Sequence, residues 1–472
     1  LSMWQMADYA SEIAEWNKLI QDHPRDDLLA EAYYEKSSTQ WRYLDDYLNA
    51  AGTLLQFVAR VPEAPESANY LYTAASIYEM GGYLTKALKT WQRVFNEYPG
   101  NEKAYQAFFK SGIMNYRLQK YNEAQIIFQR LLVLGTTPED SAIANFWIAK
   151  CMEKQGKVEE SKEYYRQSSQ SDPGGYYSIR ADEVLRGQDP FPEVENSDFS
   201  IDLAREKRKA DEWMRRTFTL AEAVDLSSPA ELADNLLYSR GETYWKLGMR
   251  DEARAEFEAL RKELQGDGLN TYRLMNKMLE IGFYQTAALA SRQVLDIAGL
   301  SQAATLTEAP KYFNHLRFGT FYRDIIVAAA IENDIDPLLL FSIIRQESLF
   351  DASISSSAGA RGLMQITEET GDYIVSTYGW PPNYKPSDLN RPFISVKLGS
   401  HYLKGFINQY PGNISAALAS YNAGDGNTQA WIKLSGEDPD LFLEVIRFDE
   451  TYNYIRYIAE NYLIYKNLYT HP

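Results

Sequence analysis

The sequence repeats itself with a period of 37 residues, over a stretch of about 130 residues. A large side chain opens each repeat, a small residue follows three positions later, and a second large residue stands four positions after that. The three registers are Tyr47, Leu84, Tyr121 and Val158; Ala50, Ala87, Ala124 and Ser161; Leu54, Trp91, Phe128 and Tyr165. Small residues let two helices approach closely, and the large residue one turn later fills the gap between them. The period therefore predicts stacked helix pairs.

A second spacing, of 34 residues, relates Gly248 to Gly282 and Ala253 to Ala287. This spacing resembles the helix-turn-helix units of tetratricopeptide solenoids. From residue 5 to residue 300 the chain reads as short amphipathic helices punctuated by Gly, Pro and Asn, with few β-branched runs. We therefore expect an all-α protein whose amino-terminal part is a helical-repeat superhelix.

The chain length predicts more than one domain, because 472 residues exceed the roughly 250 to 300 at which single cores stop growing. Residues 187–197 are rich in Pro and acidic side chains and lack periodicity, which is typical of a loop or an inter-domain link. We expect a repeat domain over 1–190, a second helical-repeat or linker domain over 198–310, and a distinct domain over 313–472.

Charge and composition exclude several classes of function. The net charge is −17, which repels phosphate backbones, so nucleic acid is not an expected partner. Cys151 is the single cysteine and cannot form an internal disulfide, and the four histidines show no ligand spacing, so no metal site is expected. No apolar run is long enough for a transmembrane segment, and residues 1–4 resemble neither a basic leader nor a signal core.

One carboxyl group stands at the end of an apolar helix. Asp336 and Pro337 form a helix start, residues 338–344 are almost all apolar, and Glu347 follows in the last turn. Burial disfavours the charged form of a carboxyl and raises its pKa, which makes Glu347 a candidate general acid. The alternative is a glutamate that faces water where the helix ends.

Two later segments carry side chains suited to a sugar ligand. Residues 356–366 combine glycines with small residues, so that backbone there can approach a ligand closely. Residues 416–424 form a helix of small residues that ends with Tyr421, Asn422 and a helix-stopping glycine. An aromatic ring and an amide at one helix end are suitable for stacking on a sugar and for hydrogen-bonding it.

The motifs Gln-Glu-Ser-x-Phe (346–350), Ser-x-x-Gly-Ala-x-Gly-Leu-Met-Gln (356–365) and Tyr-Asn-Ala-Gly (421–424) resemble, in order and spacing, the catalytic module of soluble lytic transglycosylases. Residues 398–403 and 448–455 resemble two further segments of that family. The resemblance covers roughly residues 320–472. It implies a mainly α, lysozyme-like catalytic domain behind a helical superhelix.

The resemblance also implies a reaction and a set of site residues. Glu347 is then the single acid/base that cleaves the bond between N-acetylmuramic acid and N-acetylglucosamine and yields a 1,6-anhydro end, with no cofactor or metal. Substrate-binding roles fall on Ser356, Met364, Gln365, Tyr421, Asn422, Glu450 and Tyr454. Tyr454 would orient Glu347, whereas Glu450 supports the site or pairs with Arg447 or Arg456. The other tyrosines of the tail, including Tyr457, are interpreted as packing.

Two alternatives share these residues. A lysozyme-like muramidase would hydrolyse the same bond with the same acid. An adaptor would bind protein partners through its repeats and keep an inactive, glycan-binding catalytic domain. The implied substrate, peptidoglycan, lies outside the cytoplasmic membrane, so we expect an exported protein of the periplasm or cell envelope.

Overall fold

The computed structural model describes residues 8–23, 27–194, 196–227 and 229–470, with the backbone alone for 302 and 303. The described residues form α-helices, two 3-10 helices and two isolated β-bridges, so the predicted all-α class is confirmed. The chain divides into two compact units, Leu1–Asp172 and Pro173–Pro472. The division into three domains stays a prediction, and residues 1–4, interpreted above as lacking a leader, lie outside the described residues.

The described residues of the first unit form nine helices, each of which packs against the next along the chain. Packing dominated by consecutive helices is the pattern of a helical-repeat solenoid, as predicted. The helices are α1 (Tyr9–Asp22), α2 (Leu29–Tyr43), α3 (Tyr47–Arg60), α4 (Ser67–Met80), α5 (Leu84–Glu97), α6 (Ala104–Arg117), α7 (Tyr121–Leu134), α8 (Pro138–Lys154) and α9 (Val158–Ser171).

The 37-residue period coincides with the second helix of each pair. Helices α3, α5, α7 and α9 begin at the four residues that open the repeats. The small and large residues of the other two registers are all buried. In one pair, a Cβ at Gly112 of α6 would lie 2.6 Å from the ring of Phe128 in α7. The absence of a side chain there lets the two helices pack closely.

The second unit opens with further helices, and the 34-residue spacing falls on two of them. They are α10 (Tyr176–Leu185), α11 (Leu203–Thr217), a 3-10 helix (Ala230–Asp234), α12 (Leu236–Lys246), α13 (Arg250–Glu263), α14 (Gly268–Ile281), α15 (Tyr284–Ile297), α16 (Gln302–Thr307) and α17 (Lys311–Arg317). Ala253 of α13 and Ala287 of α15 are both fully buried. A Cβ at Gly241 of α12 would lie 2.7 Å from the ring of Phe257 in α13, much as a Cβ at Gly112 would lie close to Phe128. The same close helix packing therefore recurs here.

Among the remaining helices, α19 packs against α18 and along the long terminal helix α25. The remaining helices are α18 (Arg323–Asn333), α19 (Pro337–Ser348), α20 (Glu368–Tyr378), a 3-10 helix (Pro386–Asn390), α21 (Pro392–Gln409), α22 (Ile414–Ala423), α23 (Asp425–Ser435), α24 (Pro439–Val445) and α25 (Asp449–Tyr469). In the described part of the chain, no helix combines the length and the hydropathy that a membrane span requires.

The Pro- and acid-rich stretch predicted as a loop or link lies between α10 and α11 and forms no helix in its described residues. It packs against the helices of the carboxyl-terminal part. The backbone N–H of Val194 donates to Asp336 at 3.0 Å, and the hydroxyl of Tyr462 donates to the carbonyl of Pro192 at 2.9 Å. Arg180 of α10 pairs with Asp440 at 2.7 Å. The loop therefore lies against α19 and α25 through Asp336 and Tyr462.

Candidate active site

A cleft of about 640 Å³ opens in the second unit, between the end of α19, the loop 356–367, α21, α22 and α25. Among the described residues that line the cleft, two carry a carboxyl group, Glu347 and Glu450. The sequence-predicted site residues along its walls are Glu347, Ser356, Gln365, Tyr421, Asn422, Glu450 and Tyr454. These seven residues, spread over about 110 positions, are therefore brought together by the fold.

The last turn of helix α19 positions Glu347 at the cleft. The Asp336 side chain caps the helix by accepting from the N–H of Leu338 at 2.7 Å, Pro337 occupies the first turn, and residues 338–344 are buried. The helix ends at Ser348, whose hydroxyl donates to the carbonyl of Leu363 at 2.9 Å. Burial of its apolar face and this hydrogen bond fix the last turn, so the Glu347 carboxyl has a defined place.

Glu347 is half-buried and lines the cleft. Its pKa is raised from 4.5 to about 8: burial is the main cause, the hydrogen bond from the Tyr454 hydroxyl acts in the opposite direction, and the charge of Glu450 also raises the pKa. The upward direction is the one expected from the sequence. A carboxyl with this pKa is protonated near neutral pH and is able to donate a proton.

The loop between α19 and α20 forms the wall beside Glu347. Ser356 is exposed to the cleft, and its Oγ accepts from the N–H of Ala360 at 3.1 Å. Gly362 has a φ of +74°, and a Cβ there would collide with the carbonyl of Leu389. The Gln365 amide donates to the carbonyl of Gly362 at 2.9 Å. This turn therefore requires glycine at position 362 and holds Gln365 at the cleft surface.

Met364 lies elsewhere than its predicted place beside the sugar. Its side chain is fully buried behind the cleft and packs against Gly399, where a Cβ would come within 2.7 Å of the Met364 Cβ. Its backbone carbonyl accepts a hydrogen bond of 2.6 Å from the hydroxyl of Tyr421. The long apolar side chain gains free energy from burial. The group of Met364 that contacts a cleft residue is its backbone carbonyl, bonded to Tyr421.

Asn422 is held by two residues at the start of α25. The Thr451 hydroxyl donates to Asn422 Oδ1 at 2.6 Å, and Asn422 Nδ2 lies 3.5 Å from Glu450 Oε1. Glu450 itself is exposed. The Asn422 amide therefore has a set orientation at the cleft edge, where a polar ligand group would meet it.

Several cleft residues were not predicted as site residues, and Tyr457 was interpreted as packing. Tyr457 is 48% exposed and lines the cleft, as does Asn453. Both residues share one face of α25 with Glu450 and Tyr454, because the spacing 450, 453, 454, 457 follows the helical period. That spacing was the signal available in the sequence. Tyr402 of α21, which also lines the cleft, belongs to the motif 398–403 noted above.

Asp351, the other carboxylate close to Glu347 in the sequence, does not line the cleft. Its side chain pairs with Arg254 of α13. No group of three or more His, Cys, Asp or Glu side chains in the described part of the chain is arranged to hold a metal ion.

Comparison with known proteins matches two parts of the chain to recognised domains, and the first of them contains Glu347, Ser356, Gln365, Tyr421 and Asn422. Residues 324–441 match the transglycosylase SLT domain, and residues 144–174 match a tetratricopeptide repeat. The chain is 34% identical over 176 residues to the soluble lytic murein transglycosylase of Salmonella typhimurium, which is 36% of this chain and 26% of that protein. It is 33% identical over 161 residues to the Escherichia coli K12 protein of the same name, 33% of this chain and 25% of the relative. The aligned parts thus span about a quarter of these relatives.

Solved structures share the fold over nearly the whole chain. An inactive mutant of lytic transglycosylase Slt from Pseudomonas aeruginosa superposes with a TM-score of 0.66 at 20% identity, covering 97% of this chain and 66% of that one. The 70-kDa soluble lytic transglycosylase in complex with bulgecin A gives a TM-score of 0.64 at 19% identity, with 97% and 68% covered. At these identities the likeness concerns the fold.

Proposed function

We propose that this chain, whose residues 324–441 are a transglycosylase SLT domain, is a peptidoglycan lytic transglycosylase. It cleaves the β-1,4 bond between N-acetylmuramic acid and N-acetylglucosamine and leaves a 1,6-anhydro end. The observation that carries the proposal is the Glu347 carboxyl, held in the cleft by Tyr454 with a pKa of about 8. The names of the relatives, murein transglycosylases, support the same substrate class.

The proposed reaction uses Glu347 twice. The protonated carboxyl first donates its proton to the glycosidic oxygen, so that the bond from that oxygen to C1 of the muramic acid residue breaks. The resulting carboxylate then accepts the proton of the C6 hydroxyl of the same residue, and the C6 oxygen bonds to C1. The reaction consumes and releases no net proton, because Glu347 ends in the protonated form in which it began. Tyr454 orients the carboxyl through both steps.

The composition of the cleft wall fits an intramolecular route, for which one acid/base group suffices. A retaining glycosidase uses a second carboxylate about 5 Å from the acid as nucleophile. Among the described residues that line the cleft, Glu450 carries the other carboxylate, and it is exposed and within hydrogen-bond distance of Asn422. An intramolecular nucleophile needs orientation rather than activation of a water molecule. One acid/base group then suffices.

Substrate contacts follow from the polar and aromatic lining. Ser356, Gln365 and Asn422 offer hydrogen-bonding groups, whereas Tyr421 and Tyr457 offer aromatic surface for sugar rings. Because peptidoglycan lies outside the cytoplasmic membrane, we propose a periplasmic or cell-envelope location. The helical repeats are proposed to receive glycan strands or protein partners.

The test is digestion of purified peptidoglycan by the wild type, by Glu347→Gln and by Glu369→Gln, an exposed control on α20. Mass spectrometry of the released muropeptides reads out the chemistry, and thermal unfolding checks that each variant folds. Products with 1,6-anhydro ends, lost in Glu347→Gln alone, support the proposal. Products heavier by one water indicate a muramidase. Binding without release by any of the proteins indicates an adaptor.

A further inference from the structure

The turn at the carboxyl-terminal end of α19, residues 348–353 and called here the α19 turn, is held by side chains of α13 and α15. Arg254 of α13 donates through Nη1 to Asp351 Oδ2 at 2.5 Å and to Ser353 Oγ at 3.3 Å. Gln285 of α15 donates to the carbonyl of Ser348 at 3.4 Å. Both donors lie outside residues 324–441, the part that matches the SLT domain. The end of the acid-bearing helix thus depends on a neighbouring segment.

The backbone of the α19 turn is strained. Leu349 and Phe350 have φ values of +48° and +62°, a region that costs a residue with a side chain about 1–3 kcal/mol and persists where the surroundings impose it. Asp351 Oδ1 accepts from the N–H of Ser353 at 2.9 Å and from its hydroxyl at 2.8 Å. Phe350 is buried against Phe321. These contacts, together with Arg254, keep the chain in this conformation.

The Arg254–Asp351 pair is largely withdrawn from water. The two side chains are 22% and 12% exposed, so their attraction is less screened than that of a surface pair. Arg254 is itself held on α13 by Asp251, at 2.8 Å. Removing Arg254 would take this partner from the half-buried Asp351 carboxylate, and removing Asp351 would detach Arg254 from the turn.

We propose that Arg254 is a positioning residue for the reaction: through Asp351 it fixes the α19 turn, and so fixes where the Glu347 carboxyl stands against Tyr454. Gln285 acts on the same turn through the carbonyl of Ser348. The kinetic consequence rests on the proposed function, whereas the geometric consequence does not. The helical segment before the SLT domain is then part of the catalytic unit.

Freeing the α19 turn changes the surroundings of Glu347, whereas the cleft-lining side chains of α22 and α25, Tyr421, Asn422 and Tyr457, stay in place. The groups that face its carboxyl are Tyr454 and Glu450 of α25 and Tyr421 of α22. A displaced α19 end admits water to the carboxyl, so the pKa of Glu347 falls from about 8 towards 4.5. The rate falls because misplacement of a reacting group slows the chemical step, whereas side chains on α22 and α25 keep substrate binding.

The experiment uses the full chain with Arg254→Met, Asp351→Asn and the conservative Arg254→Lys. Arg261→Met is the matched control. Arg261 lies on the same helix, is 17% exposed, pairs with Glu258 three residues before it, and bonds Gln293 of α15 rather than the α19 turn. The measurements are kcat, KM and the pH profile of kcat/KM on purified peptidoglycan. Thermal stability from pH 4 to pH 9, with and without Glu347→Gln, reports the titration of Glu347 independently of activity.

The expected result for Arg254→Met and Asp351→Asn is a loss of kcat of about tenfold or more, with KM within about twofold of the wild type. The basic limb of the pH profile moves to lower pH, and the stability difference caused by Glu347→Gln becomes less dependent on pH. Arg254→Lys recovers most of the rate, and Arg261→Met behaves as the wild type.

Unchanged kcat and unchanged Glu347 titration in both folded variants would overturn the proposal, as would an equal loss in Arg261→Met. A variant that unfolds is replaced by Arg254→Lys, whose kcat and Glu347 titration must then lie between those of the wild type and Asp351→Asn. If the wild type releases no product while the titration still shifts, the proposed function fails and the positioning role of Arg254 stands.

Discussion

The hydroxyl of Tyr454 donates a hydrogen bond to Glu347, with 2.5 Å between Oη and Oε1. The two residues are 107 positions apart in the chain and are brought together where α25 packs along α19. The bond stabilises the carboxylate form, whereas burial and the charge of Glu450 stabilise the protonated form. The pKa of Glu347 is therefore a balance that single substitutions can move in either direction.

Tyr454→Phe removes the interaction that lowers the pKa of Glu347, so this pKa rises above about 8. We expect the basic limb of the kcat/KM profile to move up by about one pH unit, since a hydrogen bond to a charged group contributes roughly 1.5–3 kcal/mol. We expect kcat to fall about tenfold, because the carboxyl loses its orientation. Tyr465→Phe is the control: its hydroxyl, on the same helix, donates to the carbonyl of Gly319. An unchanged basic limb in the kcat/KM profile of Tyr454→Phe would show that this hydrogen bond does not lower the pKa of Glu347.

Glu450→Gln is expected to act in the opposite direction. The charge of Glu450 raises the pKa of Glu347, and glutamine keeps an oxygen for the Asn422 amide while it removes that charge. The basic limb should move to lower pH by a few tenths of a unit, because an exposed charge is screened by solvent. The shift should shrink at about 1 M salt, where screening is complete within a few ångströms. Asp449→Asn, its exposed neighbour outside the cleft, provides the comparison.

Glu347 should also make the stability of its unit depend on pH. Its pKa is raised from 4.5 to about 8 on folding, so the native state holds the proton more tightly than the unfolded state. This contribution is fully present below pH 4.5 and is lost as the pH rises through 8. Glu347→Gln does not titrate, so its stability relative to the wild type should increase over this range. After allowance for partial exposure, we expect about 2 kcal/mol at pH 8.5. Unfolding transitions of both proteins measured from pH 4 to pH 9 test this prediction. A stability difference between Glu347→Gln and the wild type that does not change with pH would contradict it.

Features that depend on neighbours in the chain could be predicted from the sequence. The 37-residue period predicted the stacked helix pairs because each pair repeats the same local packing, and its first register coincides with the starts of α3, α5, α7 and α9. The start of α19 at Asp336 and Pro337 follows from capping chemistry. Glu347 at the end of an apolar helix follows from the same local pattern.

Features that depend on distant contacts could not be predicted in this way. Met364 stands beside Gln365 in one motif, yet only the fold decides that Met364 turns inward against Gly399. The Arg254–Asp351 pair joins residues 97 positions apart, and neither residue has a local signal. Tyr457 lies on the same helix face as Tyr454, but the sequence does not show whether that face meets core or cleft.

Gly362→Ala should destabilise the unit and impair the cleft together. At φ +74° an alanine costs about 1–2 kcal/mol, and its Cβ would also collide with the carbonyl of Leu389, which adds about 1–3 kcal/mol. Gly359→Ala is the matched control, because Gly359 has a φ of +80° in the same loop with nothing within 4 Å of a Cβ. It should show the backbone cost alone. Since Gly362 accepts from Gln365, and Met364 accepts from Tyr421, the displaced loop should lower kcat/KM in Gly362→Ala only. Equal effects of the two substitutions on the unfolding transition and on kcat/KM would show that the Leu389 contact does not fix the loop.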